Sequence, residues 1–192
     1  MMARVPDNRT AVVKLDLEAA KGATVPDVLP AVGEPFHVLF VGINPGLYSA
    51  ATGRHFARPG NRFWPALHAS GFTPRLFKPA EQAELTRYGL GITNIVPRAT
   101  AQAAELTRAE LVAGGARLLA LVEARRPRFV AILGVTAYRT AFARPSAAIG
   151  PQAAPLGTAG LWILPNPSGL NASWQPPRLA AAFRDLRAAA GD

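Results

Sequence analysis

An asparagine between an apolar run and a proline is the first residue of this sequence whose position suggests chemistry. Residues 36–42 are apolar, and the motif GINPG follows at 42–46. A residue before proline is driven to extended dihedral angles, so Asn44 is held at the strand tip while Pro45 and Gly46 turn the chain away. Its amide can accept and donate at once, which suits gripping a water molecule or a base edge. The alternative, which the segment alone favours, is a loop asparagine that bonds its own turn.

A second stiff loop follows the last apolar run. Prolines bracket Asn166, and Ser168, Gly169 and Leu170 then place an apolar side chain in a polar loop. One interpretation is a finger with an apolar tip, of the kind that enters between stacked bases. The other is a proline-rich exit loop whose Leu170 folds back into the core. The loop alone does not separate the two.

Basic and aromatic side chains alternate between these two loops. Arg54, Arg58 and Arg62 are placed to contact phosphates, and Phe56 to stack on a base, which is worth about 1–3 kcal/mol. The aromatic residues at 63–64 fit the core of the following helix better. A stretch of this composition is typical of a nucleic-acid interface.

Composition narrows the class of protein. The 192 residues carry a formal net charge of +9, with 49% hydrophobic and 17% charged residues, which fits one globular domain with an acidic partner. No cysteine is present, which excludes disulfides, iron–sulfur clusters, thiolate zinc sites and cysteine nucleophiles. The histidines are scattered at His37, His55 and His68, so a metal site is not expected.

The order of the elements predicts where a site should lie. Apolar segments bounded by Gly, Pro or Asn are typical of buried parallel strands, and they alternate here with helical patterns. This order indicates an open, mostly parallel α/β sheet, in which ligands bind beyond the carboxyl ends of the strands. The predicted strands are 36–42, 90–96, 129–134 and 161–164. The predicted helices are 61–69, 110–126, 135–142 and a last one carrying Leu179, Phe183, Leu186 and Ala190.

Residues 1–34 are predicted to be an N-terminal extension, and 35–192 a single domain. Val12, Val13, Leu15 and Leu17 give the extension some apolar surface with which to dock. Polar residues stand where the apolar core of a signal peptide would lie, and the apolar runs are too short to span a membrane. We therefore expect a cytoplasmic protein, associated with the nucleoid when bound to DNA.

Taken together, these segments resemble the mismatch-specific uracil/thymine DNA glycosylase family of the uracil-DNA glycosylase superfamily. The resemblance rests on three ordered motifs, at 42–46, at 55–64 and at 166–170, and it covers residues 37–187. Shorter matches support it at 71–73, 91–93 and 113–115. Three motifs in this order are a specific signal, whereas any one of them would be weak.

The resemblance implies a doubly wound, three-layer fold, with a short, mostly parallel central sheet and helices on both faces. It implies hydrolysis of the bond between deoxyribose and a uracil mispaired with guanine, and acceptance of thymine or damaged pyrimidines. By analogy, Asn44 positions the attacking water, Phe56 stacks on the flipped base, and loop 166–170 is the wedge that fills the vacated stack. No metal or organic cofactor is implied. The expected partner is double-stranded DNA with mispaired or damaged pyrimidines, bound by a monomer.

The expected site has three groups of residues. The catalytic group is Asn44 and Asn94, and for Asn94 the alternative is a buried strand-end amide bonded to backbone. Base binding is expected at Gly42, Ile43, Gly46, Tyr48, Ser49, Phe56 and Asn166, with Tyr48 and Ser49 beside the pyrimidine C5 position. DNA contact is expected at Arg54, Arg58, Arg62, Ser168, Gly169, Leu170 and Asn171.

An asparagine amide does not take up a proton readily, so Asn44 would orient water and not act as a strong base. The expected enzyme is slow, dependent on a good leaving group and without a lysine nucleophile. Two departures from the family pattern keep an alternative open. Asn171 and Ala172 stand where relatives carry an arginine after the apolar tip, and Pro97 replaces an acidic residue. The alternative is a non-catalytic nucleic-acid-binding protein that retains the fold; a hydrolase of free nucleosides is a weaker third reading.

Overall fold

A computed structural model describes residues 16–191. The apolar positions Val12, Val13 and Leu15 of the predicted extension lie outside the described residues, while Leu17 is 38% exposed. None of the helices in residues 16–191 is long and apolar enough to cross a bilayer.

The centre of the molecule is a five-stranded sheet in the order β2-β1-β3-β5-β4. Its strands are β1 (Val38–Gly42), β2 (Leu90–Asn94), β3 (Phe129–Leu133), β4 (Gly150–Pro151) and β5 (Gly160–Leu164). The first, second, third and fifth strands are parallel, and only β4 runs antiparallel, at the edge beside β5. All the predicted strands are therefore present, each within two residues of its expected bounds.

Five α-helices accompany the sheet. They are α1 (Leu47–Thr52), α2 (Phe63–Ala69), α3 (Arg108–Arg125), α4 (Val135–Ala141) and α5 (Pro176–Ala190). Two 3₁₀ segments, Pro79–Tyr88 and Ala103–Glu105, complete the elements. Helix α3 starts at a capping box in which Thr107 Oγ1 accepts from the backbone N–H of Glu110, and the Glu110 carboxylate accepts from the backbone N–H of Thr107.

Helices cover both faces of the sheet, and each face has its own core. On one side Phe40 packs among aromatic side chains of α2 and α5, with ring centroids 5.5 Å from Phe63 and 5.9 Å from Phe183. On the other side α3 and α4 pack on residues such as Leu39 and Ile132. The doubly wound, three-layer α/β fold is thereby confirmed, because both faces of a mostly parallel sheet are buried under helices.

Four elements were not predicted, and the shortest of the helical ones is the three-residue 3₁₀ segment Ala103–Glu105. Helix α1 has six residues and the segment Pro79–Tyr88 is 3₁₀, and neither presents a repeating apolar face long enough to read from sequence. Strand β4 has two residues and ends in a proline, which suits an edge where one ladder hydrogen bond is missing. Each of these elements is stabilised by the residues around it, and not by an apolar repeat in its own sequence.

Residues 24–28, which we call the strap, pair with the outer edge of β2. The backbone groups of Val28 and Ile92 exchange hydrogen bonds of 2.9 and 2.7 Å, and a second bridge joins Thr24 to Arg98. Val25 is 5% exposed. The strap therefore covers an otherwise open sheet edge, and this part of the predicted extension is packed on the domain.

The strand order places one end of the sheet at a topological switch. Strand β1 lies between β2 and β3. The connection leaving β1 therefore runs toward the β2 edge of the sheet, and the connection leaving β3 runs toward the β4 edge. The crevice beyond the carboxyl ends of such strands is where ligands bind in open α/β sheets. Asn44 stands at this crevice, two residues after β1.

Candidate active site

Residues that follow or end the four parallel strands line a cavity of about 160 Å³. A cavity of about 150 Å³ can hold a benzene ring, so this one has room for a single six-membered ring. Among the lining residues are the predicted site residues Gly42, Ile43, Asn44, Gly46, Ser49, Phe56, Arg58, Asn94, Asn166 and Ser168. The predicted site residues outside the lining are Tyr48, Arg54, Arg62, Gly169, Leu170 and Asn171.

The side chain of Asn44 is oriented by the loop after β2. Its Nδ2 donates to Thr100 Oγ1 at 2.7 Å and to the carbonyl oxygens of Arg98 and Pro45 at 3.1 and 3.2 Å. The Thr100 hydroxyl donates to the Gln102 carbonyl at 2.8 Å, so its oxygen meets Asn44 as an acceptor. Asn44 Oδ1, to which no described residue donates, is left to accept from a water molecule in the cavity.

The turn interpretation of Asn44 agrees with the structure, and the side chain also makes contacts beyond its own turn. The bond to the Pro45 carbonyl is the local turn interaction that the segment alone favours. The two bonds to loop 98–100 reach across the sheet, and they fix which amide atom faces the cavity. The local turn interaction and the contacts to loop 98–100 therefore belong to the same side chain, and its role with water or a base stays a prediction.

Asn94, the last residue of β2, lies against Gly42 beside the cavity. Its side chain is buried, and Nδ2 lies 3.4 Å from Nδ1 of the His55 ring. A Cβ at position 42 would collide with Asn94 Oδ1, so the glycine leaves that oxygen room to reach the cavity. The alternative of a side-chain amide bonded to backbone is wrong for the described contacts, since the partner is the His55 ring.

Phe56 presents a flat apolar wall. Its backbone has φ of 53°, an uncommon left-handed conformation for a non-glycine residue. The ring stacks on Phe63 with centroids 4.1 Å apart and planes 27° apart, and Phe63 is fully buried. One face of Phe56 is therefore backed by the core, while Phe56 also lines the cavity. This arrangement suits stacking on a planar base.

The wall beside Asn44 is made of small residues. Gly46 has open space where a Cβ would stand, and Ser49 is buried with its hydroxyl accepting from the backbone N–H of Ala57 at 3.1 Å. Tyr48, which the sequence placed in this wall, points instead to a separate depression shared with Arg54 and other residues. The reason is that α1 turns successive side chains about 100° apart, so Tyr48 and Ser49 cannot face the same way.

The loop after β5 includes residues 166–171, which we call the finger. Hydrogen bonds within the loop brace it, and its tip is exposed. Asn166 Oδ1 accepts from the backbone N–H of Ser168 at 2.9 Å, and Asn171 Nδ2 donates to the Asn166 carbonyl at 3.0 Å. Leu170 at its tip is 78% exposed. The interpretation in which Leu170 folds back into the core is therefore wrong, and the apolar tip points to solvent.

The expectation that Arg62 is a phosphate ligand needs correction. Its Nη1 donates to the carbonyl oxygens of Asn171 and Trp174 at 3.0 and 2.8 Å, and its Nη2 to that of Gly169 at 3.1 Å. The Arg62 guanidinium therefore stabilises the conformation of the loop after β5 through these three hydrogen bonds. Arg54 and Arg58 are exposed, and Arg58 stands on the cavity rim, so these two remain the candidates for phosphate contact.

A salt bridge steadies the loop that holds Asn44. Arg98 Nε and Nη2 contact the two carboxylate oxygens of Glu110 at 2.5 and 3.1 Å. Together with the backbone and hydroxyl of Thr107, Arg98 lowers the pKa of Glu110 to about 2. The contact ties loop 98–100 to the start of α3.

No group of three or more side chains that could hold a metal ion occurs in residues 16–191.

Sequence reasoning missed the residues that orient the two asparagines. Thr100 holds Asn44, and His55 contacts Asn94 while its Nε2 lies 2.9 Å from the Pro26 carbonyl of the strap. His55 belonged to a recognised motif, so its position was visible but its partners were not. Nothing in the sequence marks Pro26 as a neighbour of residue 55.

Comparison with known protein families agrees with this geometry. A family described as the uracil DNA glycosylase superfamily matches residues 32–187, well over half of the chain. The match includes the motif after β1, the basic and aromatic stretch and the exposed finger. Members of this superfamily are hydrolases that act on DNA. With the α/β fold and the cavity at the ends of its parallel strands, the chain belongs to the uracil DNA glycosylase superfamily.

Proposed function

We propose that the protein is a monofunctional DNA glycosylase that hydrolyses the N-glycosidic bond of uracil mispaired with guanine, as a step of base excision repair. The observation that carries the proposal is the ring-sized cavity in which Asn44 Oδ1, the Phe56 ring and Asn94 converge. The proposed enzyme acts as a monomer on double-stranded DNA, in the cytoplasm and at the nucleoid.

The proposed reaction begins with extrusion of the base, because its glycosidic bond is unreachable inside the duplex. The base enters the cavity and stacks on Phe56. Asn44 Oδ1 then accepts a hydrogen bond from a water molecule, which turns a lone pair of that water toward the sugar carbon. As the bond breaks, negative charge grows on the pyrimidine oxygens, and donors aimed at them stabilise it. The backbone N–H of Ile43, which donates to no described residue, is a candidate donor.

The lining of the cavity supports a hydrolytic mechanism without strand cleavage. None of its residues, all within the described range, is a lysine, so no side-chain amine lies there to attack the sugar carbon. Water is then the nucleophile, and the products are the free base and an abasic site with both strands intact.

The preference for mispaired uracil is proposed on the energy of flipping. Extrusion costs a few kcal/mol, and less for a mismatch, so a G·U pair yields its uracil more readily than an A·U pair. Gly46, which has no side chain, and Ser49, which has a small one, form the part of the cavity wall that we assign to the pyrimidine C5 position. We therefore include thymine and damaged pyrimidines opposite guanine among the proposed substrates.

The experiment is base release from a duplex with one G·U pair, followed by alkali to cleave the abasic site. Scission at the uracil only after alkali is the expected result. Scission without alkali would contradict the monofunctional mechanism. Tight binding with no base release from G·U, A·U or single-stranded uracil would replace the proposal by a non-catalytic DNA-binding protein.

Arg58 is expected to contribute to the salt dependence of DNA binding. Each phosphate neutralised adds about 0.9 to the negative slope of log K against log salt. Arg58→Gln should therefore flatten this slope by up to one contact, and Arg54→Gln likewise, while the preference for uracil is unchanged. Arg126→Gln is the control, because Arg126 is exposed and lies between α3 and the amino end of β3, away from the carboxyl ends that line the cavity. Equal slopes in all these proteins would show that the two arginines touch no phosphate.

Leu170 is expected to matter only when the substrate is a duplex. Its exposed side chain can occupy the gap left by the flipped base, and unstacking costs a few kcal/mol per step. Leu170→Ala should lower the rate on G·U duplex about tenfold and leave the rate on single-stranded uracil nearly unchanged. Single-turnover rates on both substrates measure the difference. A similar loss on both would mean that Leu170 supports the loop and does not act as a wedge.

A further inference from the structure

The His55 ring lies between the strap and Asn94. It is 2% exposed, with Nε2 at 2.9 Å from the Pro26 carbonyl oxygen and Nδ1 at 3.4 Å from Asn94 Nδ2. A carbonyl oxygen only accepts, so the proton of a neutral imidazole must be on Nε2 in this environment. Nδ1 then carries a lone pair, and it can only accept.

The tautomer of His55 decides which way the Asn94 amide turns. An accepting Nδ1 requires the NH₂ of Asn94 to face the ring, which leaves Asn94 Oδ1 on the side of Gly42 and the cavity. No described residue donates to this oxygen, and it is not sealed away from the cavity. The site therefore presents a hydrogen-bond acceptor to whatever base edge enters.

The strap is fastened to β2 at the residues next to Asn94. Asp27 Oδ1 accepts from Thr93 Oγ1 at 2.6 Å, and Val28 pairs with Ile92 through two backbone hydrogen bonds. Arg117 of α3 donates to the Asn94 carbonyl and lies 3.9 Å from Asp27. These contacts keep the Pro26 carbonyl in place against the His55 ring.

We propose that His55 is a positioning residue that sets base specificity: with Nε2–H held by the Pro26 carbonyl, it turns the Asn94 oxygen toward the cavity. The inference rests on the proposed function. Uracil offers a ring N–H beside a carbonyl oxygen, whereas cytosine offers a bare ring nitrogen beside an amino group. The amide held by His55 matches the uracil pattern, and the amide turned by 180° matches that of cytosine. His55 would thus protect normal cytosine from the enzyme.

Protonation of His55 is expected to reverse this arrangement. The charged group that acts on it is Asp27 on the strap, which itself lies 3.9 Å from Arg117 of α3; from the other sides Gln82 and Trp64 make neutral hydrogen bonds to its backbone. Burial lowers the pKa of His55, against the opposing effects of the Pro26 carbonyl and Asp27, so the ring is neutral at neutral pH. In acid Nδ1 also carries a proton, and the Asn94 oxygen must turn toward it.

The test compares His55→Gln with His55→Leu. A glutamine amide can donate to the Pro26 carbonyl and accept from Asn94 as the imidazole does, but it does not titrate. Leucine removes both hydrogen bonds at a similar volume. His68→Gln is the matched control, since His68 is exposed on α2 and does not line the cavity. Affinities are measured for 2′-fluoro deoxyuridine and 2′-fluoro deoxycytidine, which resist hydrolysis, each opposite an abasic analogue so that neither has a pairing partner.

At neutral pH we expect His55→Leu to lose about tenfold or more of the preference for uracil over cytosine, the equivalent of one hydrogen bond to a buried partner. His55→Gln should retain the preference. On acidification through the pKa of His55, which burial holds below its usual value, the preference of the natural protein should fall, whereas that of His55→Gln should stay level. Nitrogen NMR of histidine-labelled protein should show the Nε2–H tautomer for His55, assigned by its absence from His55→Gln.

Several outcomes would overturn the inference. One is an Nδ1–H tautomer; another is an unchanged base preference in His55→Leu; a third is equal loss of affinity for both bases, which would make His55 purely structural. If His55→Leu does not fold, the pH profile of His55→Gln still decides the matter. Failure of the proposed function would look different, because the natural protein would then bind uracil DNA without releasing the base.

Discussion

Asn44→Ala should lower the single-turnover rate of uracil release by about 10²-fold or more, with little change in affinity for DNA. The amide oxygen of Asn44 is the only acceptor we assign to the attacking water, and misplacing a reacting group costs rates of this size. We assign the binding of the base mainly to Phe56 and Asn94, which the substitution leaves in place. Rates on G·U duplex and the affinity for 2′-fluoro deoxyuridine duplex, measured separately, give the two quantities.

Thr100→Val provides the matched test of how Asn44 is oriented. Valine has nearly the shape of threonine but removes the oxygen that accepts from Asn44 Nδ2 at 2.7 Å. The amide keeps its bonds to the Arg98 and Pro45 carbonyl oxygens, so the expected loss of rate is smaller than for Asn44→Ala.

An equal loss of rate and affinity in Asn44→Ala would contradict the water-positioning role and make the residue structural.

Gly42→Ala should abolish base binding as well as turnover. An added Cβ would collide with Asn94 Oδ1 and stand 3.3 Å from Cζ of Phe56, so it would displace both side chains to which we assign contact with the base. Gly42 is not among the glycines with positive φ, so its backbone accepts alanine and the fold should survive. We expect kcat/KM on G·U duplex to fall by more than about 10²-fold, because a site built to hydrogen-bond its substrate loses that much when the partners are misplaced.

The contrast with Gly46→Ala isolates the steric effect. Gly46 lies in the same loop and lines the same cavity, but apart from its two chain neighbours no described residue has an atom within 4 Å of the added Cβ. Gly46→Ala should therefore cost much less on uracil than Gly42→Ala. Affinity for 2′-fluoro deoxyuridine duplex and circular dichroism of each variant distinguish a blocked cavity from a damaged fold. Equal effects of the two substitutions would argue against a base-sized cavity at Gly42.

The layered fold, and the fact that the site lies at the carboxyl ends of the parallel strands, could be predicted from local patterns. Apolar runs of about five residues bounded by Gly, Pro or Asn are sufficient for buried parallel strands, and their carboxyl ends must meet at one edge. Asn44 and Asn166 each follow such a strand by two residues, whereas Phe56 lies in the segment between α1 and α2. The presence of Asn44 and Asn166 at one cavity therefore follows from chain order together with the handedness of parallel crossovers.

Side-chain direction could not be predicted in the same way. Tyr48 and Ser49 are neighbours in sequence, but the unexpected helix α1 sends only Ser49 to the cavity. Arg62 stands in the same basic stretch as Arg58, yet its guanidinium donates to three carbonyl oxygens in residues 169–174. A charge pattern records which residues are basic, and not which acceptors the fold brings to them.

Residue types and chain order alone established the α/β architecture, the lack of cysteine chemistry, and the motifs that match the superfamily. Tertiary structure decided how the site is oriented: Thr100 turns the Asn44 amide, and the Pro26 carbonyl meets His55, which turns Asn94. The physical reason is that strands and helices arise from short-range periodicity, whereas a hydrogen bond between residues far apart in sequence depends on geometry that only the packed chain creates. The two asparagines were visible in the sequence, and the direction in which each amide points was not.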